Sequence, residues 1–215
     1  MPVPDRPQIY HITHVGNLAG ILADGVIWSD RERLDRGIDC ALVGMSKIKQ
    51  RRLEEIIVDC HAPTKVGEYV PFYFCPRSVM LYIIWRANHP EVTYRGGQGP
   101  MIHLVADARR VIAWAEANGR QWAFKDRNAG TYYGEFHCSE ARLDRIDWDA
   151  VANRDFRDSA VQEAKQAEFL VYSSFPWTLV DHVGVHDAAM LAKVEGILAG
   201  APHRPRVTVE PTWYY

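Results

Sequence analysis

The sequence predicts an α+β domain with a mixed or antiparallel split-sheet core and flanking helices. Strand-like segments rich in aromatic and β-branched residues are mixed with helical-period segments, without the regular βαβ repeat of a doubly wound sheet. The 215 residues suit one domain spanning 1–215. Hydrophobic residues make up 47%, charged residues 24%, and the net charge is −2. That is the balance of a globular chain able to bury about 70% of its unfolded surface.

Gln8–His14 reads as a strand leading into a helix. Thr13 or His14 can start that helix, Leu18, Ile21 and Leu22 form its apolar stripe, and Gly25 stops it. Residues Ile27 to Gln50 are polar and weakly periodic, a surface excursion holding at most a short helix. A helix from Ser46 to Ile56 carries Lys47, Lys49, Arg51 and Arg52, either as a solvated face or with one Arg turned inward. Tyr69–Phe74 is extended, and Pro71 suits an edge or a strand start. Ser78 can cap a helix running through Trp85. Tyr94–Pro100 is a turn, Met101–Val105 a strand, Ala106–Ala117 a helix and Gln121–Phe124 a short strand. A second excursion runs from Asp126 to about Ala164 and holds Asp147-Trp148 and Asp155-Phe156. Phe169–Tyr172 and Val183–Val185 read as strands, Asp187 begins a helix to about Leu198, and Pro205–Val209 is the last strand.

Several classes are disfavoured. No apolar run reaches the roughly 18–20 residues that span a bilayer, and the N-terminus has no secretory pattern, so a cytoplasmic location without membrane contact is expected. There is no Gly-x-Gly-x-x-Gly and no Gly-Lys-Ser/Thr, so neither nucleotide-loop motif is supported. Cys40, Cys60, Cys75 and Cys138 are scattered, with no Cys-x-x-Cys pair. Buried free thiols are expected rather than a metal site or a disulfide framework.

Glu168 stands at the mouth of the Phe169–Tyr172 strand, beside the preceding loop. It reads either as a surface carboxylate that adds little to the core or as a catalytic group fixed by the strand backbone. His11 on the first strand is either a hydrogen-bonded core residue or one that points a ring nitrogen at a ligand hydroxyl. A His on an early strand, aromatics mid-chain and a Glu opening a late strand suggest an ADP-ribosyltransferase. Breaking the bond between nicotinamide and ribose builds positive charge on the sugar. A carboxylate that also holds a ribose hydroxyl lowers the energy of that cation. Stacking aromatics suit the flat nicotinamide ring.

Ile9–His14, Asn17-Leu18, Ile48–Arg52, Val70–Phe74, Arg77–Leu81, Gly96–Gln98 and Gln166–Val171 occur in this order. Each block is weak alone; together, continuing to Trp213-Tyr214-Tyr215, they resemble the DarT family, DNA ADP-ribosyltransferase toxins of bacterial toxin–antitoxin pairs. The resemblance implies a PARP-like ADP-ribosyltransferase fold, NAD as co-substrate without a metal, and single-stranded DNA as partner. It implies a thymidine acceptor, with guanosine in DNA, RNA ends or protein as alternatives, and a macrodomain antitoxin of the DarG kind. Glu168 matches the family's catalytic glutamate. Arg52 matches its catalytic arginine, with the neighbouring Arg51 as the alternative, and Arg51 is also placed among the cofactor contacts. His11, Thr13, Asn17, Leu18 and Tyr73 fall at cofactor positions. Tyr73, Met80, Arg77 and Asn128 fall at DNA positions, and the segment before Glu168 matches the substrate loop. Two positions depart from the family pattern. Asn128 stands where some relatives carry His, and Val79 where relatives often carry Pro. Arginine keeps its charge, so Arg52 suits stabilisation of a developing base anion rather than proton abstraction.

Overall fold

The computed structural model describes residues 1–41, 43, 46–87, 89–155 and 157–215. Phe156, named above, lies outside the described residues. Strand β1 (Gln8–His14) runs into a 3-10 turn, Val15–Asn17, in which the Gly16 N–H donates to His14 Nδ1 at 3.0 Å. Helix α1 (Leu18–Asp24) follows and ends at Gly25, whose φ of 69° is the left-handed stop that glycine accepts. Next come β2 (Val26–Trp28), α2 (Asp30–Asp35) and α3 (Ser46–Glu54). Ser29 caps α2, its Oγ accepting from Glu32 N at 3.2 Å. The first excursion is therefore largely ordered, as a short strand and two helices.

Strand β3 (Tyr69–Tyr73) precedes α4 (Val79–Arg86), which Ser78 caps at Leu81 N. Strand β4 (Met101–Asp107) is buried along its whole length. It runs two residues past the sequence expectation, because Asp107 is the cap of α5 (Ala108–Ala117), not a residue within that helix. Strand β5 (Trp122–Lys125) opens the second excursion. That excursion holds a 3-10 turn, Glu140–Arg145, then α6 (Trp148–Ala152) and α7 (Ser159–Ala164). Buried Lys165 closes it. Its Nζ donates to the carbonyls of Val151 at 3.0 Å and Asn153 at 2.8 Å, groups left unpaired at the end of α6. The chain ends with β6 (Glu168–Tyr172), β7 (Ser174–Pro176), β8 (His182–Val185), α8 (Ala188–Leu198) and β9 (Arg206–Val209).

The main sheet has the order β5-β6-β3-β1-β4-β8-β9, and β2 pairs with β7 in a separate ribbon. All neighbours in the main sheet are antiparallel except β8 and β9. The architecture is α+β, as expected. Gly184 on β8 is set by close approach: a Cβ there would lie 2.1 Å from the Trp213 ring, so only glycine lets the C-terminal aromatics lie on the sheet.

Pro71 corrects an expectation. It lies on β3, an interior strand between β6 and β1, and not at an edge. Proline is tolerated because β1 and β3 are in register only at Tyr10↔Tyr73 among the described residues, so the ladder on that side is short. Where the two strands part, His11 Nδ1 lies 2.9 Å from the Pro71 carbonyl. The sheet is split in effect at its middle, and the side chain of β1 fills the opening.

The cysteines also differ from expectation. Only Cys75 is buried; Cys40 and Cys60 are partly exposed and Cys138 is exposed. Among the described residues no helix is long and apolar enough to cross a membrane.

Candidate active site

Glu168 is the first residue of β6, and β6 is paired on both sides, with Glu168 opposite Tyr73 on β3 and Lys125 on β5. The side chain is 1% exposed, not the surface carboxylate of the alternative reading. Three bonds satisfy it. Arg52 Nη1 donates to Oε1 at 3.1 Å and to Oε2 at 2.9 Å, and the Ala129 N–H donates to Oε1 at 3.0 Å. Glu168 thus does contribute to the core, since its loss would leave a buried guanidinium without its charge partner.

Arg52 comes from α3 and is itself 12% exposed. Burial opposes its charge, but the Glu168 carboxylate outweighs this and raises its pKa above the ordinary guanidinium value. The Ala129 N–H is presented by the loop that follows β5. Asn128 Oδ1 accepts from Gly130 N at 2.7 Å, and buried Lys125 donates to the Thr131 carbonyl at 2.8 Å. Two side chains therefore shape the loop that reaches Glu168.

The carboxylate faces a cavity of about 810 Å³. His11, Thr13, Asn17, Arg52, Tyr73 and Glu168 all line it. Met80 of α4 and Asn128 complete the expected residues that meet there. Burial lowers the His11 pKa, so the ring is neutral near pH 7. A carbonyl can only accept, so Nδ1 carries the proton given to Pro71 and the lone pair is on Nε2. Burial first, then the Glu168 charge, raises the Tyr73 phenol. Asn17 ties the rim together: its Nδ2 donates to Thr13 Oγ1 at 3.0 Å, and its Oδ1 accepts from Ala41 N at 2.8 Å.

Three expected residues are elsewhere. Leu18 is fully buried in the main core. Arg51 points away from Arg52, as adjacent helical residues must, and its guanidinium lies 5.7 Å from the Tyr132 ring. Arg77 lies over the Tyr215 ring at 4.2 Å. None of the three lines the cavity.

Other lining residues were not expected. Asp30 of α2 accepts from Lys49 Nζ at 3.1 Å, with Arg33 Nε 3.7 Å away. Burial works against the Asp30 charge, but Lys49, with Arg52 and Arg33, holds its carboxyl below the ordinary value. Lys49 precedes Arg52 by one helical turn, a spacing that puts both on one face. No sequence signal separates Asp30 from the other acids of its tract.

The arrangement places one buried carboxylate, one guanidinium and one neutral imidazole round a space large enough for a dinucleotide fragment. Over residues 10–215 the chain matches the family profile described as ssDNA thymidine ADP-ribosyltransferase, DarT. The chain belongs to the DarT family. A DNA ADP-ribosyl transferase of Thermus aquaticus is 41% identical, over 100% of this chain and 90% of its own length. Thermus sp. 2.9 DarT, solved in complex with ADP-ribosylated ssDNA, is 34% identical with a TM-score of 0.89, covering 100% of this chain and 99% of that one. The same Thermus DarT solved with NAD+ is 33% identical with a TM-score of 0.78, covering 99% of each chain. The DarT fold extends to Thermosipho africanus DarTG, solved with ADP-ribose: 18% identity, TM-score 0.78, 97% of this chain and 51% of that one.

Proposed function

We propose that residues 1–215 act as one transferase domain that moves ADP-ribose from NAD+ to a thymine base of single-stranded DNA and releases nicotinamide. The observation that carries this is the buried Glu168 carboxylate, held by Arg52 and Ala129 at the wall of the cavity. A DarT relative solved with NAD+ and with ADP-ribosylated ssDNA, at about a third identity, supports the choice of donor and acceptor.

In this reading His11 accepts a ribose hydroxyl hydrogen at Nε2, which its bond to Pro71 leaves free. Tyr73, the β3 residue paired with Glu168 on β6, lies against the nicotinamide. The bond between nicotinamide and the ribose carbon breaks, its electron pair leaves with nicotinamide, and the sugar becomes cationic. Glu168 stabilises that charge at close range in a site sheltered from water. The thymine ring nitrogen supplies the electron pair of the new bond and gives up its proton to Glu168 or water. Arg52 stabilises the base anion as it forms. Thr13 and Asn17 shape the donor side, while Met80 and Asn128 border the acceptor side.

The protein would act in the cytoplasm, and a macrodomain antitoxin that removes ADP-ribose would be its partner. Mass spectrometry of a mixed-sequence single-stranded oligonucleotide after incubation with NAD+ tests the reading. One ADP-ribose on thymine is expected from the wild type, and a yield lower by on the order of 10²–10³-fold from Glu168→Gln. Modification on guanine, or only of protein, would overturn the acceptor assignment.

A further inference from the structure

We propose that Cys60, His61 and Cys138 form a zinc-binding site at the base of the loop that reaches Glu168. One ligand atom from each residue lies within 4.8 Å of the others. Zinc bonds of about 2.0–2.3 Å place tetrahedral ligand atoms roughly 3.3–3.8 Å apart. A contraction of at most about 1.5 Å would therefore close the three round one ion. None of the three lines the Glu168 cavity, so the site is separate from it.

The surrounding bonds fix the His61 tautomer and hold the two segments together. His61 Nε2 lies 2.9 Å from the Trp122 carbonyl, which can only accept. Nε2 therefore carries the proton and the lone pair is on Nδ1, the outer-partner arrangement common to metal-bound histidines. Asp59 Oδ1 accepts from Cys60 N at 2.8 Å and from Phe136 N at 3.3 Å. One carboxylate thus joins the turn bearing Cys60 and His61 to the segment bearing Cys138. His137 exchanges two backbone bonds of 2.8 Å with Phe124 and fixes the chain just before Cys138. Exposed Cys138 gives an ion its route in and leaves the fourth position to water.

Two thiolates and an imidazole favour zinc over the hard cations magnesium and calcium. On binding, the two thiols release their protons to solvent, and no oxidant is needed. The ion would tie the returning end of the 126–138 loop to the Asp59–His61 turn. The loop that gives its Ala129 N–H to Glu168 would then be closed at its base by metal as well as by backbone bonds.

The test is titration of the reduced, metal-free full chain with zinc against a chromophoric chelator. One equivalent should bind with a Kd below about 1 μM. Cobalt should give the thiolate charge-transfer band of a tetrahedral site, which needs no variant. Cys60→Ser and Cys138→Ser should each weaken zinc by more than the roughly 10- to 100-fold lost when an outer partner is removed. Cys40→Ser should leave the stoichiometry at one. Failure of the reduced wild type to compete with the chelator, or zinc binding that survives both serine changes, would overturn the proposal. So would a cobalt spectrum without the thiolate band, or a Cys60–Cys138 disulfide as the only change the pair undergoes.

Discussion

One guanidinium nitrogen of Arg52 serves both oxygens of Glu168, at 3.1 and 2.9 Å, although the residues stand 116 positions apart. A buried pair of this kind is costly to break from one side, about 3–5 kcal/mol, because the surviving charge is left in a dry place. Arg52→Met and Glu168→Gln should therefore each lower stability. The double variant should lose clearly less than the sum, since neither charge is then stranded. Transfer should behave differently, falling on the order of 10²–10³-fold in each single variant and not recovering in the double. Denaturant unfolding beside oligonucleotide labelling separates the two. Restored transfer in the double variant would show that the pair has only a structural role.

Arg52→Lys keeps a positive charge but loses the planar guanidinium whose Nη1 serves both oxygens. It should retain NAD+ binding better than DNA modification. Equal losses in a calorimetric titration with NAD+ and in DNA labelling would place Arg52 on the donor instead.

His103 sets a pH dependence of stability. It is fully buried on β4, with Nε2 3.0 Å from the Pro76 carbonyl and Nδ1 3.2 Å from the Tyr214 hydroxyl. Burial lowers its pKa from 6.5 to about 4. Above about pH 6.5 both folded and unfolded chains hold a neutral ring, and its contribution is complete. Between about 6.5 and 4 the unfolded chain binds the extra proton, so stability falls, by on the order of 3 kcal/mol across the window. His11 adds a loss of the same sign. Unfolding midpoints at pH 7, 5.5 and 4.5, with the His103 ring followed by NMR, check this. A ring that titrates near 6.5 in the folded protein would refute it.

Substrate form is the fourth expectation. A paired thymine hides its ring nitrogen, and extruding it costs a few kcal/mol. The described residues include no helix-turn-helix or other duplex-reading element to offset that. Labelling should be strong on a single strand, weak on the same strand annealed to its complement, and lower at high salt as phosphate contacts release counterions. One labelled oligonucleotide, with and without its complement at two salt concentrations, decides it.

Legibility followed the size of the local signal. Strands β1 and β6 were readable because their apolar runs are long enough to show a pattern, and Ser78 announced α4. Strands β2 and β7 have three residues each, too few for any period, and exist because they pair with each other. Pro71 was misplaced because the rule against central prolines assumes a complete ladder on both sides. Glu168 was found by position, but its burial was not, because Arg52 and Ala129 reach it from segments distant in the chain. A backbone N–H such as that of Ala129 has no residue type to betray it. Cys60 and Cys138 show their residue type, but no spacing rule connects them.

Glu168 begins a strand that is laddered on both flanks, whereas its partners arrive on a helix and on a loop. The anvil is therefore fixed and the tools are interchangeable. Exchanging the 126–138 loop for a relative's should alter which nucleotides are accepted without moving the carboxylate. A shift of β6 by one residue would turn Glu168 to the opposite face and end the chemistry, whatever the loop. With the roles proposed above, variation in what is recognised would fall on parts that can change without dismantling the sheet.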